Sequence, residues 1–271
     1  MRKLLVIVAL LFAVKAYTQS FEGTIKWSMK MEITDPKQKA QMEDAQKKMN
    51  DPANQAKMKE MQEKMNDPQF KAMMENNPQM KAQMEAAMKM MQGGDISSLI
   101  PKGMTTEIKG LNTLTKMEGG AFTNDMLHLA DKNQTFSIDR KNKTYSVMNV
   151  PQNENKDTTD PTVKVTKTSE TAKILGYTCT KYIVEYEERG HTMTQNLWAT
   201  QDIKGIDFKA MAKQSAASNG GRRMYFDKVD GVPLKVEMKT PEANMTLEAT
   251  DIKRESLNPA DFTIPADYKK I

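Results

Sequence analysis

Phe21-Glu-Gly-Thr-Ile-Lys-Trp-Ser-Met-Lys-Met-Glu-Ile33 alternates along its whole length, with Phe21, Gly23, Ile25, Trp27, Met29, Met31 and Ile33 on one parity. Successive side chains of a strand point to opposite faces, so this pattern makes a half-buried β-strand. The next stretch is of another kind. A methionine-rich helical pattern occupies 35–95, and strand signals resume from 103. The chain is therefore expected to be α+β: an antiparallel β domain over 21–34 and 103–271, interrupted after its first strand by a helical insertion.

The insertion carries four helix-start signals, Asp35-Pro36, Asp51-Pro52, Asp67-Pro68 and Asn77-Pro78, spaced by 16, 16 and 10 residues. Each Asp or Asn can accept an orphan amide hydrogen bond, and the Pro after it supplies a preset φ where no donor is needed. Apolar residues then recur 3, 7, 10 and 14 positions after each cap: Phe70 and Met80; Met42, Met58, Met74 and Met84; Met61 with Ala45 and Ala87; Met49, Met65 and Met91. At 100° per residue these offsets fall within about 60° of one another, one narrow stripe along each helix. Gly93-Gly94 ends the array as a C-cap.

Twelve Met lie between 42 and 91, Met88 among them, with one Phe and no Leu, Ile or Val. Loose thioether side chains suit adaptable apolar binding, whereas a rigid bundle prefers Leu and Ile. Two readings stay open, a stripe that closes a bundle on itself and a groove for an apolar peptide or acyl chain. A third is Cu(I) held by thioethers, a soft metal on soft ligands. The array resembles the methionine-rich, Asp/Asn-Pro-punctuated domains of ubiquilins and heat-shock co-chaperones, with Asn77-Pro78-Gln79-Met80 the closest stretch. That resemblance implies a groove for hydrophobic client segments.

Residues 1–20 read as an export signal: Arg2 and Lys3, an apolar run Leu4–Val14, and a small polar stretch ending at Ser20. The run is too short for a stable membrane span, and no Cys follows it to take a lipid. The expected location is periplasmic or extracellular, soluble after cleavage. The net charge is +5, but ten Lys nearly balance nine Asp or Glu within 35–92. Without a basic patch or interleaved aromatics, nucleic acid is not an expected partner. Cys179 is the only cysteine and forms no intrachain disulfide.

Beyond the insertion, strands are expected at 111–117, 126–129, 135–138, 162–168, 177–186, 193–199, 222–229, 234–238 and 245–252, with Asp230-Gly231 as a hairpin turn between two of them. One helix is expected over 207–214. Short turns between strands imply an antiparallel meander, and its apolar face needs a cover, for which the array is a candidate lid.

No nucleophile elbow, zinc-binding helix motif or dinucleotide fingerprint occurs, and His128 and His191 each stand alone on a strand. The reading is a non-enzyme with no cofactor and no metal site. Gly231-Val232-Pro233-Leu234 and Asn258-Pro259-Ala260-Asp261-Phe262-Thr263-Ile264-Pro265 resemble the periplasmic lipoprotein-carrier superfamily. With Gly176-Tyr177-Thr178-Cys179-Thr180-Lys181-Tyr182 and Leu197-Trp198-Ala199-Thr200, the mature chain more closely resembles the exported domain-of-unknown-function family 4412 (DUF4412). The resemblance implies a curved, half-barrel-like sheet for an acyl chain, with Trp27 and Trp198 as candidate lining beside the Met stripe. The expected ligand is a hydrophobic small molecule, lipid or apolar peptide.

Overall fold

A computed structural model describes residues 20–65, 67, 101–120, 124–148, 163–188, 190–215 and 224–271. It is built on one open, curved sheet of 12 strands. Strand β1 is Glu22–Ile33. Helices α1 (Pro36–Asn50) and α2 (Pro52–Met65) follow it. A first meander comprises β2 (Gly103–Lys109), β3 (Asn112–Glu118), β4 (Asp125–Leu129), β5 (Gln134–Asp139) and β6 (Thr144–Met148). A second comprises β7 (Lys164–Ile174), β8 (Tyr177–Glu188), β9 (His191–Thr200), β10 (Val232–Lys239) and β11 (Ala243–Arg254), with α3 (Phe208–Ser215) between β9 and β10. The short β12 (Lys269–Lys270) ends the chain.

The first strand joins the two meanders. The sheet order is β12-β6-β5-β4-β3-β2-β1-β11-β10-β9-β8-β7, so β1 is bonded to β2 on one side and β11 on the other. Every pairing is antiparallel except β12 with β6. The bulge at Lys26/Trp27 in the β1–β11 ladder adds local twist at the centre of the sheet.

The two halves bury opposite faces. On the face carrying Ile25 and Trp27, here the inner face, the second half presents Leu247, Val236, Leu197, Val184 and Tyr186. These belong to the larger core cluster with Ile203, Phe208, Tyr225 and Val229. Described residues of 201–215 and 224–231 therefore pack against this half, and residues 68–95 of the array expected there lie outside the described residues. Gln195, fully buried in the inner face, donates to Tyr186 Oη at 3.1 Å and accepts from the Tyr225 amide at 3.4 Å. The two tyrosine rings lie 4.7 Å apart between centroids.

In the first half the register reverses the buried side. Ile108 faces inward, but Leu114 pairs with Glu107 and so faces outward, as do Leu127, Phe136 and Ile138. These form the second cluster with Phe262, Leu257, Ile264 and Tyr268 of the C-terminal tail. The tail is pinned where it reaches this face. Glu22 Oε1 accepts from the Leu257 amide and from Lys109 Nζ, both at 2.7 Å. Lys143 and Asp267 pair at 2.7 Å beside β12.

Two sequence expectations change here. Within the strand expected over 222–229, of which 222 and 223 lie outside the described residues, residues 226–228 form a 3-10 turn instead, because Tyr225 is drawn into the core by Gln195 and Tyr186. Asp230-Gly231 is consequently no hairpin turn. Gly231 has φ +95° and leads directly into β10, where a Cβ would stand 2.2 Å from the Thr200 carbonyl oxygen. The helix expected at 207–214 is α3, started by Asp207, whose carboxylate accepts from the Ala210 amide at 2.9 Å.

Candidate functional site

Of the sequence-expected site residues, the described helices settle the caps first. Asp35 accepts from the amides of Lys37 and Gln38, and Asp51 from that of Ala53 at 2.8 Å, each before a Pro. Two of the four start signals thus act as expected. Met42 is half-buried on α1, whereas Ala45 of the same stripe is exposed. Met49 lies on α1 and Met58, Met61 and Met65 on α2. Phe70, Met74, Met80, Met84, Met88 and Met91 lie outside the described residues.

The two tryptophans part company. Trp27 is buried on the inner face, paired with Ala249 and Met104. Trp198 pairs with Lys181 and Lys235 on the outer face, where Lys181 Nζ stands 5.6 Å from its ring centroid. The outer-face position follows from the bulge at Pro233/Lys235 and from the parity of β9, which sends Leu197 and Ala199 inward.

What sequence reasoning missed is the inner face of the first half. Its covering cluster lies on the other side, and three cross-strand rows remain. The first runs Trp27–Met104–Met117; the second Ile25–Thr106–Thr115–Met126–Ser137–Ser146; the third Gly23–Ile108–Thr113–His128–Thr135–Met148. None of these residues carries a formal charge. Met104, Met117, Met126 and Met148 are all half-buried. Met117, Met126 and Met148 belong to neither described core cluster. The signal was available in strand parity, yet parity alone does not reveal which face the rest of the chain covers.

This face has few polar points. His128 is 7% exposed, with Nδ1 3.0 Å from Thr135 Oγ1 and Nε2 without a hydrogen-bond partner among the described residues. Burial lowers its pKa below the ordinary value, so the imidazole is neutral at pH 7. Trp27 Nε1 is likewise buried and unpartnered among the described residues. An uncharged surface of thioethers and hydroxyls with isolated polar atoms is the make-up of a site for a mostly apolar ligand. A separate open depression of about 490 Å³ lies beyond the start of β1, among Ser20, Leu111, Ile206 and Phe208.

Among the described residues, no group of three His, Cys, Asp or Glu is placed to hold a metal ion. Desolvation pushes the buried Cys179 thiol up to about 11, which keeps it protonated and a poor nucleophile. His191 is exposed at the start of β9.

The fold and this face define an open antiparallel-sheet protein with a thioether-lined inner surface. Residues 97–268 match the family described as Domain of unknown function (DUF4412), and the chain belongs to that family. The matched span begins after the array and leaves out β1. No curated protein matches the chain. Among solved structures, PNGF-II aligns at 17% identity and a TM-score of 0.36, over 62% of this chain but only 27% of its own. An uncharacterized conserved protein from Thermus thermophilus aligns at 10% identity and 0.38, over 62% and 80%. LprF from Mycobacterium bovis aligns at 9% and 0.31, over 64% and 84%. No helix among the described residues is long and apolar enough to cross a membrane.

Proposed function

We propose that this protein is a non-enzymatic, exported envelope protein that holds an apolar ligand, an acyl chain or a hydrophobic peptide, against the inner face of β1–β6. One observation supports the reading: Met117, Met126 and Met148 share an uncharged face and, among the described residues, belong to neither core cluster, with Met104 beside them at the margin of the larger one. Thioethers adapt to differing apolar shapes, and burial supplies the affinity. The Met-rich helices, entered from the end of β1, are the natural closure over the ligand, with Lys stems beside it and their charged heads in water. The signal-like Arg2, Lys3 and Leu4–Val14 support export.

The test is binding of a hydrophobic fluorescent probe, together with mass spectrometry of organic extracts of the purified protein. The combined variant Met104→Gln, Met117→Gln, Met126→Gln is expected to weaken probe binding by about tenfold or more, since burying one Met is worth about 1.5–3 kcal/mol. Met58→Gln, Met61→Gln, Met65→Gln measures the share of the helices. Unchanged binding in the sheet variant, with its β circular dichroism intact, rejects this face as the site.

A further inference from the structure

The inner face holds a second group of methionines at the other end of β1, three in one cross-strand row where the first half has at most two adjacent. Met31 pairs directly with Met245 on β11, and Met245 pairs directly with Met238 on β10. Three adjacent strands therefore present a thioether at one register position on one face. Directly opposed residues hold their Cβ atoms about 4.5–5.5 Å apart, and in each flanking side chain two torsions set where the sulfur lies relative to the central Met245.

Packing alone is a poor reason for this triplet. Strand interiors favour β-branched and aromatic residues, and a rigid core uses Met sparingly. The next row, Met29–Leu247–Val236–Leu197, is aliphatic on β11, β10 and β9 and carries a single methionine, on β1. Among the described strand residues, the immediate inner-face neighbours of the triplet are Met29 and Ile33, Ala243 and Leu247, and Val236 along their own strands, and Gln195 across from Met238. No carboxylate, imidazole or ammonium stands among them. Gln195 is committed to Tyr186 and Tyr225. Such a donor set has nothing for a hard divalent cation, while three neutral sulfurs suit a soft monovalent one. Met238 is 3% exposed and forms the floor; Met31 and Met245 are half-buried and leave an approach from their side.

We propose that Met31, Met245 and Met238 form a three-thioether binding site for Cu(I). The site is distinct from the apolar-ligand face and does not depend on it. It also differs from a metal role for the helical array, because its ligands are set by the register of three paired strands.

The experiment titrates the purified protein with Cu(I) under anaerobic conditions against a chromophoric Cu(I) chelator, with X-ray absorption on the loaded sample. One equivalent bound in an all-sulfur shell is expected. Met245→Leu, close in volume, is expected to weaken binding by about tenfold or more, a loss at least as large as those from altering residues that merely support metal ligands. Met58→Leu, Met61→Leu, Met65→Leu and Met126→Leu are expected to leave it unchanged. Thermal unfolding of Met245→Leu confirms that the fold persists, and Met31→Leu serves as the second variant if it does not. A nitrogen ligand in the shell, wild-type affinity in both strand variants, or loss caused by the array variant overturns the assignment. Because the apolar probe is read separately, failure here leaves the proposed function standing, and the reverse also holds.

Discussion

The two halves of the sheet are built from the same kind of strand and bury opposite sides of it. The β7–β11 half turns Leu247, Val236 and Leu197 inward against Ile203, Phe208, Tyr225 and Val229, whereas the β3–β6 half turns Leu114, Leu127 and Phe136 outward beneath the C-terminal tail. The difference teaches where an uncharged surface, here the proposed binding face, comes from in an open sheet. Each half buries its main apolar cluster on a different side, and the inner side of the first half is furnished with Met, Thr and Ser rather than with charges. By contrast, the outer side at β2 and β3 carries ordinary surface chemistry, Lys116 pairing with Glu107 at 2.6 Å.

The sharpest way to break this contrast is to remove one cover at a time. Phe262→Ala should cost about 3–5 kcal/mol and Leu197→Ala about 2–5 kcal/mol in chemical denaturation. Hydrogen exchange should then show Phe262→Ala losing protection first in β3–β6 and Leu197→Ala first in β8–β11. Equal loss across the sheet in both variants would show one core rather than two. Next in size is Gly231→Ala, which forces a left-handed φ on a residue with a Cβ and drives that atom into the Thr200 carbonyl. About 1–3 kcal/mol is expected from the backbone conformation alone, read as a lowered Tm.

A smaller effect concerns the helices. Asp35→Ala removes the side chain that caps α1 and should cost about 0.5–2 kcal/mol of helix stability, lowering helical circular dichroism with little change in the β signal. A comparable loss of β signal would mean that the helices and the sheet fold as one unit.

The smallest expected effect is a pH slope from His128. Its folded pKa lies below the ordinary value of 6.5, so between those two pH values the unfolded chain binds a proton that the folded chain does not. Stability is undiminished above the unfolded pKa and falls as pH drops through the window toward the folded pKa. His128→Gln should flatten that part of the stability profile. Glu22 acts in the same direction lower down: Lys109 and the Leu257 amide hold its carboxyl below the ordinary 4.5, so tail anchoring is present above that pH and lost as pH falls through the lowered value.

Much of the scaffold is legible in the sequence itself. Alternation places β1, β3, β4, β5, β8, β9, β10 and β11 to within a few residues, and Asp35-Pro36 and Asp51-Pro52 mark real helix starts. Local pattern fails where distant contacts decide. Tyr225, Phe226 and Val229 read as strand, but Gln195 and Tyr186 lie far away in sequence and draw Tyr225 into the core instead. Strands β6 and β12 are short and carry too little pattern of their own, β12 being two lysines hydrogen-bonded to β6. The proposed binding face is the hardest part. Met104, Met117, Met126 and Met148 fall on predictable parities, but which parity is covered depends on where 255–268 crosses the sheet. That crossing is fixed by Glu22, Lys109 and Phe262, none of which signals it alone.

The most direct test is photocrosslinking with a diazirine-bearing fatty acid, mapped by peptide mass spectrometry. Saturable adducts on inner-face residues of β2–β4, around Met104, Met117 and Met126, and competed by unlabelled fatty acid, are the expected result. Adducts confined to the outer face, or labelling that never saturates, would contradict a ligand site on this side of the sheet.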